Sequence, residues 1–138
     1  MTAPSKLILV VDDETHITHV VALKLTNAGY RVVTAGDGEE AFELALAEHP
    51  DLIITDLQMP YMSGLELAKK LRRTQDLAAT PVLMLTARGY ALDQSELGQT
   101  NIKAVMSKPF SPRDVLDKAR SALGDTPPAA DATEAIAA

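Results

Sequence analysis

The chain has 138 residues, which is the usual length of a single domain. Hydrophobic residues make up 46% of it and charged residues 23%, so disorder is excluded for most of the chain. The sequence contains no cysteine, which excludes disulfide scaffolds, thiol catalysis and cysteine-based zinc sites. Its formal net charge of −6 argues against a general nucleic-acid or anionic-membrane binder.

The first apolar run, Leu7–Val11, is interrupted by Asp12. It is too short for the core of a signal peptide or for a membrane span. We therefore expect a cytoplasmic protein without a membrane partner.

Five short apolar runs, rich in Val, Ile and Leu, predict β-strands. They lie at Leu7–Val11, Arg31–Ala35, Leu52–Thr55, Val82–Leu85 and Ile102–Met106. Amphipathic stretches between and after these runs predict five helices, of which the fourth, Tyr90–Leu97, is short and bounded by Gly89 and Gly98. Strict alternation of strand and helix predicts an α/β fold with a doubly wound, five-stranded parallel sheet.

Polar side chains follow four of the five predicted strands. Asp12 and Asp13 follow the first strand, Asp56 the third, Thr86 the fourth and Lys108 the fifth. Because ligands of such sheets bind at the carboxyl ends of the strands, we expect these side chains to form one site.

The charges of this site predict a metal ion. Two carboxylates about 4 Å apart repel by about 4 kcal/mol at an effective dielectric constant near 20. Lys108 and one divalent cation would balance the three carboxylates, and oxygen ligands favour Mg²⁺. A cation, a lysine and a hydroxyl around a free carboxylate suit phosphoryl transfer, with the carboxylate as the nucleophile.

The sequence resembles response-regulator receiver domains, the phosphoacceptor partners in two-component signalling. The resemblance extends from Lys6 to Leu123 and implies the (βα)5 flavodoxin-like receiver fold. Its motifs are Val10-Val11-Asp12-Asp13-Glu14, Thr55-Asp56-Leu57-Gln58-Met59-Pro60, Ser63-Gly64, Leu85-Thr86-Ala87 and Ser107-Lys108-Pro109-Phe110.

The resemblance implies a role for each matching residue. Asp56 would accept a phosphoryl group, and Thr86 and Lys108 would contact its oxygens. Mg²⁺ would be held by Asp12, Asp13, Asp56 and the backbone carbonyl of Gln58. The Lys108–Pro109 peptide bond would be cis.

The implied donor is a sensor histidine kinase or a histidine phosphotransfer protein, and the output is an unknown protein target. We expect no direct contact with nucleic acid. One position departs from the family: Val105 replaces the common aromatic residue three positions before the lysine. We therefore expect the fourth predicted helix, with Tyr90 as its anchor, to carry the response.

Two other functions remain open. The chain could be a Mg²⁺-dependent phosphohydrolase with an aspartyl intermediate, or a scaffold that is never phosphorylated. We do not expect an enzyme in the usual sense, because the protein would catalyse only its own phosphoryl transfer and autodephosphorylation.

The composition changes near the C-terminus. We expect a receiver domain at residues 1–123 and a disordered tail or linker stub, rich in Ala and Pro, at residues 124–138. The simplest arrangement is a stand-alone receiver, although a cut within a linker to an output domain would leave the same sequence.

Overall fold

The structure is a computed structural model that describes residues 6–86, 94–108 and 110–125. It contains five strands: β1 (Leu7–Val11), β2 (Arg31–Ala35), β3 (Leu52–Asp56), β4 (Val82–Thr86) and β5 (Ile102–Ser107). Its helices are α1 (Thr15–Asn27), α2 (Gly38–Glu48), α3 (Gly64–Arg72), α4 (Gln94–Leu97) and α5 (Pro112–Leu123), with a short 3₁₀ helix at Gln75–Leu77. None of the helices in these ranges is long and apolar enough to cross a membrane.

The five strands form one parallel sheet in the order β2-β1-β3-β4-β5. This order confirms the predicted fold class. The chain moves outwards from β1 in one direction and then from β3 in the other, which places the switch in strand order between β1 and β3.

Helices cover both faces of the sheet because the central strands are apolar on both sides. On one face, α2 and α3 pack against buried side chains such as Leu9 and Ile53. On the other face, α1 and α5 pack against Ile8 and Ile54. Every residue of β1, β3 and β4 is buried.

The edge strand β5 differs from these central strands. Its residues alternate between half-buried and exposed. Its pairing with β4 shifts by one residue, because Val82 lies opposite Ile102 whereas Leu83 lies opposite Ala104. Lys103 is the additional residue.

The ends of α3 and α5 follow local sequence rules. Ser63 and Glu66 form a capping box at the start of α3. Ser111 caps α5 ahead of Pro112.

The predicted tail begins at Gly124, but Gly124 and Asp125 lie within the described residues. Asp125 is hydrogen-bonded to Lys6 and Tyr30 of the domain. The rest of the tail, the N-terminal half of the fourth predicted helix and the Lys108–Pro109 peptide bond lie outside the described residues, so those predictions are untested.

Candidate functional site

The carboxyl edge of the sheet collects the polar side chains that the sequence predicts there. Asp56 and Thr86 are the last residues of β3 and β4, and Asp12, Asp13 and Lys108 follow β1 and β5. Asp12, Asp56 and Thr86 are buried, with exposed fractions of 1%, 4% and 1%. Asp13 is exposed and leaves the site open to solvent on its side.

Three carboxyl groups meet at this edge. Asp12, Asp13 and Asp56 each place one oxygen within 4.8 Å of the other two. Three hard oxygen donors at this separation fit a small divalent cation such as Mg²⁺.

Among the described residues, Lys108 is the cation that contacts the acids of the site. Its Nζ lies 3.1 Å from Oδ1 of Asp56 and 3.5 Å from Oδ2 of Asp12. It also lies 3.9 Å from Oε1 of Glu14. Glu14 is not among the predicted site residues, although its place as the third acid in a row after β1 was a signal.

Burial and charge shift the proton affinities of these groups. Burial raises the pKa of Asp12 to about 6; the backbone N–H of Glu14 opposes this rise, and the charge of Asp56 adds to it. Burial also raises the pKa of Asp56, against the hydrogen bond from Lys108. Burial alone would lower the pKa of Lys108, but its hydrogen bond to Asp56 and the attraction of Asp12 raise it instead.

Lys108 therefore stays charged. The positive charge near Asp12 and Asp56 is nevertheless too small to offset the effect of burial on their carboxylates. One lysine against the three clustered carboxylates leaves two negative charges unbalanced, which is the charge of one divalent cation. The donor atoms and the charge of this site thus both fit Mg²⁺.

The backbone after β3 is held close to the site. The N–H of Leu57 donates to the carbonyl of Leu85 at 2.7 Å, and the N–H of Gly64 donates to the carbonyl of Leu57 at 2.8 Å. A Cβ atom at Gly64 would overlap the carbonyl oxygen of Asp56. Glycine is needed here because α3 begins directly against the chain that carries Asp56.

The position of Lys108 depends on β5. Ser107 lies opposite Thr86, and the N–H of Lys108 donates to the carbonyl of Thr86 at 2.7 Å. This pairing extends the sheet by one step beyond β4 and directs the lysine towards Asp56.

Two other residues to which the sequence draws attention have exposed side chains. The side chain of Gln58 is exposed, and Val105 is 40% exposed on β5. Tyr90 lies outside the described residues.

The chain is similar to curated transcriptional regulators. The family profile described as response regulator receiver domain matches residues 8–120. The alkaline phosphatase synthesis transcriptional regulatory protein PhoP of Bacillus subtilis is 42% identical over 133 residues, covering 94% of this chain and 53% of that protein. The phosphate regulon transcriptional regulatory protein PhoB of Pseudomonas aeruginosa is 35% identical, covering 89% and 54%. The chain thus spans about half the length of these relatives.

Solved structures agree with the family match. The chemotaxis response regulator CheY4 of Vibrio cholerae has a TM-score of 0.80 at 35% identity, covering 87% of this chain and 100% of that one. A putative response regulator from Chloroflexus aurantiacus also has a TM-score of 0.80, at 30% identity, covering 88% and 99%. From its sequence, its fold and the strand-end residues of its sheet, the chain belongs to the response regulator receiver domain family.

Proposed function

We propose that this receiver domain is a phosphoacceptor switch in which Asp56 takes a phosphoryl group from a phosphohistidine of a partner protein. The donor is a sensor histidine kinase or a histidine phosphotransfer protein. The observation that carries the proposal is the pairing of a buried carboxylate, Asp56, with the ammonium group of Lys108 at 3.1 Å within a cluster of three acids.

The reaction needs little movement of the acceptor. An oxygen of the Asp56 carboxylate attacks the phosphorus atom and forms a P–O bond, while the P–N bond to the imidazole breaks and the imidazole leaves with the electron pair. Lys108 balances charge on the phosphoryl oxygens, and Thr86, at the end of the neighbouring strand, offers a hydroxyl to one of them.

Asp12, Asp13, Asp56 and the backbone carbonyl of Gln58 are the proposed ligands of Mg²⁺. When bound, this ion neutralises the carboxylates and the phosphoryl oxygens. The three carboxyl oxygens within 4.8 Å of one another support the proposal, and the part of Gln58 rests on its position two residues after Asp56.

The output is proposed as protein interaction rather than direct nucleic-acid contact. Among the basic residues at the end of α3, Lys70 and Arg72 have partners within the domain. Nζ of Lys70 lies 4.3 Å from the centre of the Phe42 ring, and Arg72 donates to the carbonyl of Ala78 at 2.8 Å.

Acetyl phosphate and intact-protein mass spectrometry test the assignment. With Mg²⁺ the protein should gain one phosphoryl group, and Asp56→Asn should gain none because the nucleophile is gone. Asp13→Ala should slow the labelling at low Mg²⁺, since it removes one proposed ligand. Asp117→Asn, an exposed carboxyl on α5, is the control and should label normally.

The other two functions predict different results. A phosphohydrolase would release inorganic phosphate continuously without a lasting mass gain, and a scaffold would do neither. Labelling of Asp56→Asn at the wild-type rate would show that another residue is the acceptor.

A further inference from the structure

A second group of charged residues lies at the amino edge of the sheet, opposite the acid cluster. Lys6 directly precedes β1, Tyr30 directly precedes β2, and Asp125 lies two residues after α5. Nζ of Lys6 lies 2.7 Å from Oδ1 of Asp125, and the hydroxyl of Tyr30 donates to Oδ2 at 2.8 Å. We call Lys6, Tyr30 and Asp125 the Asp125 clamp.

The backbone brings Asp125 into this position. Gly124 has a φ of 73°, in the left-handed region that favours glycine. The N–H of Asp125 donates to the carbonyl of Arg120 at 2.8 Å, and the N–H of Gly124 donates to that of Ser121 at 3.2 Å. These two bonds form a Schellman motif, which ends α5 and turns the chain away from the helix axis.

Lys6 holds the same turn from a second direction. Its ammonium group also donates to the carbonyl of Leu123 at 3.0 Å, one of the last carbonyls of α5. A cation is favoured at this end of a helix. One lysine side chain thus binds both the end of the helix and the carboxylate that follows it.

Both oxygens of Asp125 are occupied, so the orientation of its carboxylate is fixed and not merely its distance from a charge. An isolated ion pair with side chains 40% and 30% exposed would contribute little to stability. Here Tyr30 is a third member, and the buried Arg120 adds a positive charge close to Asp125. The hydrogen bond from Lys6 lowers the pKa of Asp125, and burial together with the bond to Asp125 raises the pKa of Tyr30 to about 12.

We propose that the Asp125 clamp fixes the direction in which the polypeptide leaves α5. The anchor residues precede β1 and β2, so the clamp holds Asp125, two residues after the end of α5, at the corner where these strands begin. The clamp is separated from the site by the length of α5, which is about 18 Å for its 12 residues. The proposal is independent of phosphorylation.

Pairs of spin labels test this directly, because the chain has no native cysteine. One label replaces Thr26, an exposed residue near the end of α1, and the other replaces Thr126. Pulsed electron–electron double resonance should give one narrow distribution of distances between the two labels in the parent protein. Asp125→Ala should broaden the distribution and shift its mean.

Amide hydrogen exchange gives a second readout. Protection of the Asp125 amide should fall about tenfold in Asp125→Ala, the effect expected for the loss of a charge-assisted hydrogen bond. Asp117→Ala makes the same charge change on an exposed position of α5 and should alter neither measurement.

Lys6→Met tests the clamp from the other side and decides the question if Asp125→Ala fails to fold. It should broaden the same distribution, and the double variant should add little to either single change. Unchanged distributions in both folded single variants would overturn the proposal, as would an equal effect of Asp117→Ala.

Discussion

At the carboxyl edge of the sheet three carboxyl groups share one lysine, whereas at the amino edge a single carboxylate is held by a lysine and a tyrosine hydroxyl beside an arginine. Both arrangements join residues that are far apart in the sequence. The pKa of Asp125 is lowered by its partners, but those of Asp12 and Asp56 are raised by burial. The partners of Asp125 therefore stabilise its charged form at the amino edge, whereas the acids of the carboxyl edge favour the arrival of positive charge.

This difference separates the Asp125 clamp from the candidate site more clearly than burial or distance does. Ion pairs occur at both edges, at 2.7 Å and 3.1 Å. What distinguishes the carboxyl edge is its unbalanced negative charge, which costs stability in the absence of a cation.

Among the substitutions that separate the two edges, Gly64→Ala should have the largest effect on stability, because it disturbs the backbone of the carboxyl edge. The new Cβ would overlap the carbonyl oxygen of Asp56, and neither segment has room to move because both are hydrogen-bonded. We expect a loss of about 3 kcal/mol in the free energy of unfolding, measured by urea denaturation. Gly36→Ala is the matched control, because its Cβ would meet only Oε1 of Glu40 at an ordinary 3.8 Å.

Asp12→Asn tests the cost of the unbalanced acids at the carboxyl edge, because it removes one buried charge there. The pKa of Asp12 rises from 3.8 to about 6 on folding, so the folded protein binds the proton more tightly than the unfolded chain does. Without Mg²⁺, this group should cost the wild type stability progressively between about pH 4 and about pH 6, by about 2–3 kcal/mol in total.

Urea denaturation of the metal-free protein at about pH 4.5 and at about pH 7.5 measures this cost. Relative to Asp12→Asn, the wild type should be less stable at the higher pH. A difference between the two proteins that does not change with pH would contradict the assignment. Asp117→Asn, with its exposed carboxyl, is the control for the change in net charge.

Tyr30→Phe should have the smallest effect and should weaken the amino edge. It removes one hydrogen bond to Asp125 and keeps the ring and the pair with Lys6. We expect a loss of about 1 kcal/mol in the free energy of unfolding, again by urea denaturation. Tyr61→Phe is the control, since the side chain of Tyr61 is fully exposed. Equal effects of the two substitutions would show that the hydroxyl of Tyr30 adds nothing.

The sequence predicts the sheet well because its signals are local. Each apolar run starts at the residue where its strand begins in the structure, but β3, β4 and β5 end one residue later than predicted. Asp56 and Thr86 end the apolar runs, yet their backbones continue the pairing: Asp56 lies opposite Leu85 and Thr86 opposite Ser107. A polar residue at the end of an apolar run therefore does not mark the end of a strand, and both of these polar residues are buried.

The acid cluster could be predicted because parallel strands bring their carboxyl ends to one edge. The Asp125 clamp could not, because it joins residues 119 positions apart and no local pattern marks Asp125. The neighbours of Asp125 are small and polar residues typical of a tail. The composition therefore placed Asp125 in the predicted tail at residues 124–138. The contact of Glu14 with Lys108 could not be predicted for a similar reason. A charged residue in the loop before a helix gives no indication of which distant residue it will contact.

The one-residue shift between β4 and β5 determines where this strand can tolerate a change in length. Ile102 packs on the face of α2 and α3, whereas Ala104 and Met106 pack on the face of α1 and α5. Deleting Lys103 would leave a strand whose ordinary alternation keeps these residues on their present faces. Deleting a residue after Ala104 would turn Lys108 to the opposite side of the sheet. We therefore expect Lys108 still to reach Asp56 when this chain is shortened by Lys103.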